Sequence, residues 1–160
     1  LGADGPTGVF GTTSNMVEQF GRERVVDMPA SENAMTGIAL GTALMGRRPI
    51  MVHMRMDFAV LAMEPLINQI AKWHYMYGGH MVAPLTVRMI VGRGWGQGPQ
   101  HSQALQSWYA HIPGLKVVMP TTAIPHGRFE GLNGCSNSRY HSLRRFALPT
   151  LFKASMSSPL

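Results

Sequence analysis

Four short strand-like runs punctuate this chain: Arg24–Met28, Ile50–Met54, Pro84–Val91 and Leu115–Pro120. Stretches with helical spacing separate them, so the order reads βαβαβαβ. The later runs are continuously apolar rather than alternating, the pattern of strands covered on both faces. That alternation predicts an α/β fold with a mostly parallel sheet and helices on both faces. In such open sheets, ligands gather beyond the carboxyl ends of the strands.

The helix boundaries follow from local signals. Ser14 is placed to cap a helix running to Phe20, with Gly21 as its stop. Ser31 precedes and Gly46 follows a helix starting at Glu32, in which Gly37 and Gly41 would let a neighbour pack closely. Asp57 and Phe58 are expected in a loop before a long helix from about Leu61 to Tyr77, with Pro65 in its first turn and Gly78-Gly79 closing it. Between the third strand and the next helix lies a contact loop in which Gly92, Gly94, Gly96 and Gly98 alternate with other residues. It ends in Gln100-His101-Ser102-Gln103, which would open the helix.

The topology collects Glu32, Phe58 and His101 on one edge of the sheet, since each falls just beyond a strand's carboxyl end. Taken singly, each also fits an ordinary role. Glu32 suits a helix N-terminus, Phe58 suits a core and His101 suits a cap.

Several chemistries lack their residues. The four glycines do not spell G-x-G-x-x-G, and neither a P-loop nor a G-x-S-x-G elbow occurs. The seven histidines form no zinc-ligand spacing, so no metal site is expected, and the thirteen methionines read as adaptable core filler. One cysteine, Cys135, excludes an internal disulfide. A length of 160 residues suits one domain. No apolar run approaches a membrane span, and the first residues carry neither a basic leader nor a signal core, so a soluble intracellular protein is expected. The start at Leu1 suggests a fragment or processed product.

The net charge of +6 raises the question of nucleic acid. It is unevenly spread: residues 1–125 carry +2, whereas residues 126–160 carry +4. Trp73, Tyr75, Tyr77 and Trp95 with nearby Lys72, Arg88 and Arg93 could form a stacking surface, but no RNP-like motif or dense basic face accompanies them. No nucleic-acid partner is expected.

The order and spacing of S-E, D-F, N-x-x-A-K, Y-M-x-G-G, Q-H-S-Q and H-x-P-G-L-K-V-V-x-P, from about Gly8 to Pro125, closely resembles one family. It is the transketolase-like pyrimidine-binding domain of the beta subunits of thiamine-diphosphate-dependent 2-oxo acid dehydrogenases, of the pyruvate and acetoin dehydrogenase type. The resemblance implies that Glu32 hydrogen-bonds the aminopyrimidine ring nitrogen of thiamine diphosphate and so promotes loss of the thiazolium C2 proton. It implies that Phe58 packs on the aminopyrimidine ring, and that His101 guides proton transfer and reductive acylation of the lipoyl group. It further implies an alpha subunit that holds the diphosphate and magnesium through a G-D-G…N type motif absent here. The assembly would be α2β2, feeding acyl groups to a lipoyl acyltransferase core. The compartment would be cytoplasmic in a bacterium or the mitochondrial matrix in a eukaryote.

After His126 the resemblance stops. The family continues D-A-K-G-L-L into a helix and a strand; this chain reads GRFEGLNGCSNSRYHSLRRFALPTLFKASMSSPL, without clear helical or strand period. With free codon choice, a one-nucleotide shift turns Gly127 to Thr150 into DALKGLMAAAIRDTTPSVVLLF, which has the missing family pattern. The expected organisation is therefore a partial pyrimidine-binding domain over residues 1–125 and a poorly ordered, frameshifted tail over residues 126–160. By comparison with the family, the chain would also lack the first strand, the carbonyl potassium site and the carboxyl-terminal domain. Expressed alone, it is expected to be unstable and inactive. The same sequence also fits a non-functional truncated product and, less well, a basic nucleic-acid-binding module housed in the tail.

Overall fold

The computed structural model describes residues 13–91, 97–119 and 151–154. The glycines at 92, 94 and 96, the segment before Thr13 and the tail apart from residues 151–154 lie outside these residues, as does the expected boundary at 125 and 126.

The centre of the molecule is a parallel strand pair, β1 (Ile50–His53) and β2 (Leu85–Met89), with Met51 beside Val87 and His53 beside Met89. One face carries buried Met51, His53, Leu85, Val87 and Met89, while Val52, Thr86 and Arg88 on the other face are half-buried. Successive side chains point to opposite faces, so this register fixes which of them meets the helices.

Helix α2 (Glu32–Leu44) covers the buried face, where Thr36 meets His53. Its inward positions are Thr36, Ala39, Leu40 and Ala43, spaced to form one stripe. Alanines recur on the helical run facing it, at buried Ala59 and Ala62, and these small side chains let the backbones come close. Leu66, Ile70, Met56 and Tyr109 fill the wider parts of the same core. The expectation that Gly37 and Gly41 seat a neighbour does not hold among the described residues: a Cβ at either would meet nothing within 4 Å. They lie on the exposed side of α2.

The long helical run starts earlier than its sequence suggests. Helix α3 spans Met56–Ala59, so Asp57 and Phe58 are helical rather than in a loop. Tertiary bonds decide this, beginning with the Met56 N–H, which donates to the Ile90 carbonyl at 3.0 Å. The run continues through a 3-10 turn (Val60–Ala62), a π-helical stretch (Glu64–Ile70) and α4 (Trp73–Met76). Pro65 therefore sits mid-run. Its missing N–H and bulky ring disfavour a tight turn, and the wider coil relieves that clash, as in the i to i−5 bond from Ala71 N–H to the Leu66 carbonyl. Gly78 (φ 59°) and Gly79 (φ 82°) end the run in left-handed backbone.

Helix α1 is short (Met16–Phe20), and Asn15, not Ser14, occupies its N-cap position, with no side-chain cap bond. Arg24–Met28 is not a strand. Arg24 and Val25 both donate to the Gly21 carbonyl in turns, and Val26 is 63% exposed. Two valines among charged residues bury too little apolar surface to hold a strand in place.

Helix α5 (Gln106–Ala110) leads into β3 (Leu115–Val118), and β4 (Leu151–Ala154) completes a sheet of order β1-β2-β4-β3. β4 is antiparallel to both β2 and β3, so β1, β2 and β3 all run in one direction. The α/β class agrees with the sequence; the mostly parallel sheet does not. Among the described residues only the β1–β2 neighbours are parallel, because a strand from the tail takes the place between β2 and β3. Backbone pairing is possible for any non-proline sequence, which is why a segment without strand period can still fill that gap. Among the described residues, no helix is long and apolar enough to cross a membrane.

Candidate functional site

A cavity of about 390 Å³ opens beyond the carboxyl end of β1. Glu32, Phe58 and His101, distant in sequence, all line it, together with His53, Arg55 and Gln97. The remaining wall is apolar, from Ala30, Met35, Val52 and Met54.

Glu32 is the first residue of α2, where a carboxylate is favoured by the helix dipole. Its backbone carbonyl accepts a 2.6 Å bond from the Thr36 hydroxyl, which also lies 3.5 Å from His53 Nε2. His53 is 2% exposed. Burial pushes its imidazole down to about 4, and the nearby Glu32 carboxylate offsets only part of that effect. At neutral pH, His53 is therefore a neutral group in the cavity lining.

The opposite wall is a turn rather than packed secondary structure. Gly98 (φ 76°) turns the backbone into a single 3-10 turn (Pro99–His101). Four consecutive residues after β1 hold this segment. Arg55 Nη1 donates to the His101 carbonyl at 2.8 Å, and Nη2 donates to the Gln97 side-chain oxygen. The Met56 sulfur accepts from the Leu105 N–H at 3.2 Å, and Asp57 Oδ1 accepts from the Gln103 N–H at 2.9 Å. Phe58 meets the His101 ring edge-to-face, with centroids 5.0 Å apart and planes at 74°. The second carboxylate oxygen, Asp57 Oδ2, is buried with no hydrogen-bond partner among the described residues.

The cavity thus combines one half-buried carboxylate, an aromatic ring and an imidazole within a largely apolar lining. A flat heteroaromatic ring with a protonatable nitrogen fits such a lining, since the apolar wall accepts its faces and a carboxylate addresses its edge. Among the described residues, no group of three or more His, Cys, Asp or Glu could hold a metal ion. Glu32, Phe58 and His101 are the residues expected from the sequence at this edge; His53, Arg55 and Gln97 emerge only from the structure. His53 falls on the inward register of an apolar strand, a pattern that carried a signal of buried polarity. Arg55, just past a strand end, reads as an ordinary solvated charge.

Residues 1–126 match the family model described as the pyrimidine-binding domain of transketolase. The chain is 45% identical over 116 residues to the beta subunit of the pyruvate dehydrogenase E1 component of Rhizobium meliloti, covering 72% of this chain and 25% of that protein. It is 43% identical over 125 residues to the beta subunit of acetoin:2,6-dichlorophenolindophenol oxidoreductase from Cupriavidus necator, covering 76% of this chain and 37% of that one. The corresponding Bacillus subtilis subunit is 45% identical over 114 residues, 71% of this chain and 33% of its own length. The chain spans between a quarter and about two fifths of the length of these curated relatives.

Proposed function

The chain belongs to the transketolase pyrimidine-binding domain family, and from that premise we propose that it is the pyrimidine-binding part of the beta subunit of a thiamine-diphosphate-dependent 2-oxo acid dehydrogenase. The reaction would be oxidative decarboxylation of a 2-oxo acid, or acetoin cleavage, with acyl transfer to a lipoyl group. The observation that carries this reading is the convergence of Glu32, Phe58 and His101 on one cavity. The matches to pyruvate and acetoin beta subunits support it.

In this reading the cavity takes the aminopyrimidine end of thiamine diphosphate. When bound, the cofactor supplies the electron sink for decarboxylation. Glu32 holds a proton at the pyrimidine ring nitrogen, and the apolar wall strengthens that bond by excluding water. Phe58 packs on the ring, which fixes its tilt relative to Glu32. His101, on the same cavity, moves a proton to or from the reacting group. His53, neutral at pH 7, adds no positive charge to compete with the ring for Glu32.

The chain carries no G-D-G…N type motif. As in the family it belongs to, the diphosphate and its magnesium would be held by an alpha subunit in an α2β2 assembly, delivering acyl groups to a lipoyl acyltransferase core. Residues 1–125 form the cofactor-facing unit in this reading, with a sheet that family members build mostly parallel and cover with helices on both faces. Residues 126–160 are the product of a one-nucleotide frameshift. The compartment is the cytoplasm of a bacterium or the mitochondrial matrix of a eukaryote.

The test is a full-length subunit assembled with its alpha partner, thiamine diphosphate and magnesium. Glu32→Gln should lower turnover on the order of 10²- to 10³-fold, the usual cost of removing one preorganised electrostatic contact. Full activity of that variant would sink the reading. Sequencing the encoding DNA across codons 120 to 160 tests the frameshift separately, and an unbroken frame with no family-like alternative would end it.

A further inference from the structure

We propose that Arg55 is a positioning residue that sets where the His101 imidazole stands in the cavity, acting through the backbone of the turn that carries it. The inference rests on the reading that His101 serves the reaction, and it assigns a new role to a residue that reading does not use.

Arg55 lies two residues beyond the end of β1, immediately before α3, and is 4% exposed. Burying a guanidinium is costly unless its donors are engaged. Here the two terminal nitrogens reach opposite ends of one short segment. Nη1 donates to the main-chain carbonyl of His101 at 2.8 Å and Nη2 donates to the side-chain oxygen of Gln97. The Pro99–His101 turn lies between those two acceptors, so the planar fork holds the turn at both ends. A lysine offers a single point of charge on a flexible stem and cannot span them at once.

The imidazole itself is held by a different contact. The Phe58 ring meets it edge-to-face at 5.0 Å, and Phe58 lies three residues beyond Arg55, on the first turn of α3. His101 is thus fixed at its carbonyl by Arg55 and at its ring by Phe58, from one rigid element anchored to Ile90 through Met56. Asp57 and Met56 hold the chain just beyond, at Gln103 and Leu105. Removing the guanidinium leaves these later anchors and the ring contact in place but frees the carbonyl, so the imidazole can shift without the fold being lost. A displacement near 1 Å at a reacting group can cost on the order of 100-fold in rate.

The experiment uses the full-length subunit in its holoenzyme, with thiamine diphosphate and magnesium. Arg55→Met should lower kcat by about 10- to 100-fold while the KM for thiamine diphosphate changes less than about 3-fold. Arg55→Lys should recover part of kcat, and millimolar guanidinium ion should raise kcat of Arg55→Ala several-fold. Those three results together support the proposal. It is overturned by an unchanged kcat in Arg55→Met. It is equally overturned if the loss of kcat follows the loss of folded protein in a thermal melt, with no rescue by Lys or guanidinium. Glu32→Gln in the same preparation separates the two levels. If Glu32→Gln is inactive and Arg55→Met is fully active, only the positioning role fails; if Glu32→Gln is fully active, the reading beneath it fails as well.

Discussion

The two walls of the cavity are built on different principles. Glu32 and His53 stand on α2 and β1, which are locked by apolar packing around Ala39, Ala43, Met51 and Leu66. His101 stands on a turn of three residues held by individual side-chain bonds from Arg55, Met56 and Asp57. Packing distributes its hold over many small contacts, so the first wall moves only if the core does. Directed bonds are few, and loss of one changes the second wall alone. A site that must grip one end of a ligand and adapt at the other is served by this division.

The comparison can be broken most directly at the packed wall. Leu66 is 2% exposed, and Leu66→Ala should destabilise the chain by roughly 2–5 kcal/mol, measured by denaturant unfolding. A loss below about 1 kcal/mol would mean that this wall is not held by its core.

His53 sharpens the same contrast through pH. Its imidazole takes a proton near 6.5 when the chain is unfolded but only near 4 when folded. Acid between those values therefore favours unfolding. The contribution of His53 is fully present above pH 6.5 and is lost as pH drops toward 4, on the order of 3 kcal/mol in all. Unfolding curves across pH 4 to 7 should show the slope in the native chain and a flatter one in His53→Leu. An equal slope in both would place the titrating group elsewhere.

The tethered wall should respond in the opposite way. Asp57→Ala removes the acceptor for the Gln103 N–H but also relieves a buried carboxylate oxygen that has no partner among the described residues. The net cost should be only about 1 kcal/mol globally. The local effect should be larger: the Gln103 amide should exchange with solvent at least 10-fold faster, while the amides of α2 keep their protection. Uniform loss of protection in both walls would show that they are one cooperative unit.

Some of this was legible in the sequence because it depends on period and punctuation. The apolar runs at Ile50 and Leu85 became neighbouring strands, Gly21 and Gly78-Gly79 ended helices, and strand-end logic pointed Phe58 and His101 to the cavity that Glu32 also lines, although no strand precedes Glu32 among the described residues. What escaped depends on partners far along the chain. Asp57 reads as a loop residue until its carboxylate meets Gln103, and the helix then begins before it. Arg24–Met28 has a strand's propensity, but its valines lie among charged residues and Val26 stays exposed. Arg55 looks like a solvated charge by type; its burial follows only from the turn it holds.

The place of β4 bears on how the chain reaches this state. It is hydrogen-bonded to β2 on one side and β3 on the other, and its Ala154 stands opposite both Leu85 and Leu115. Until it arrives, those two parallel strands have no ladder joining them. Pairings this distant in sequence form slowly. A growing polypeptide that has emerged only as far as β3 would leave uncovered the two strand edges that β4 later pairs, each able to recruit a second molecule. Synthesis rate and chaperone access, rather than the final contacts alone, would then decide how much of this chain ends as monomer.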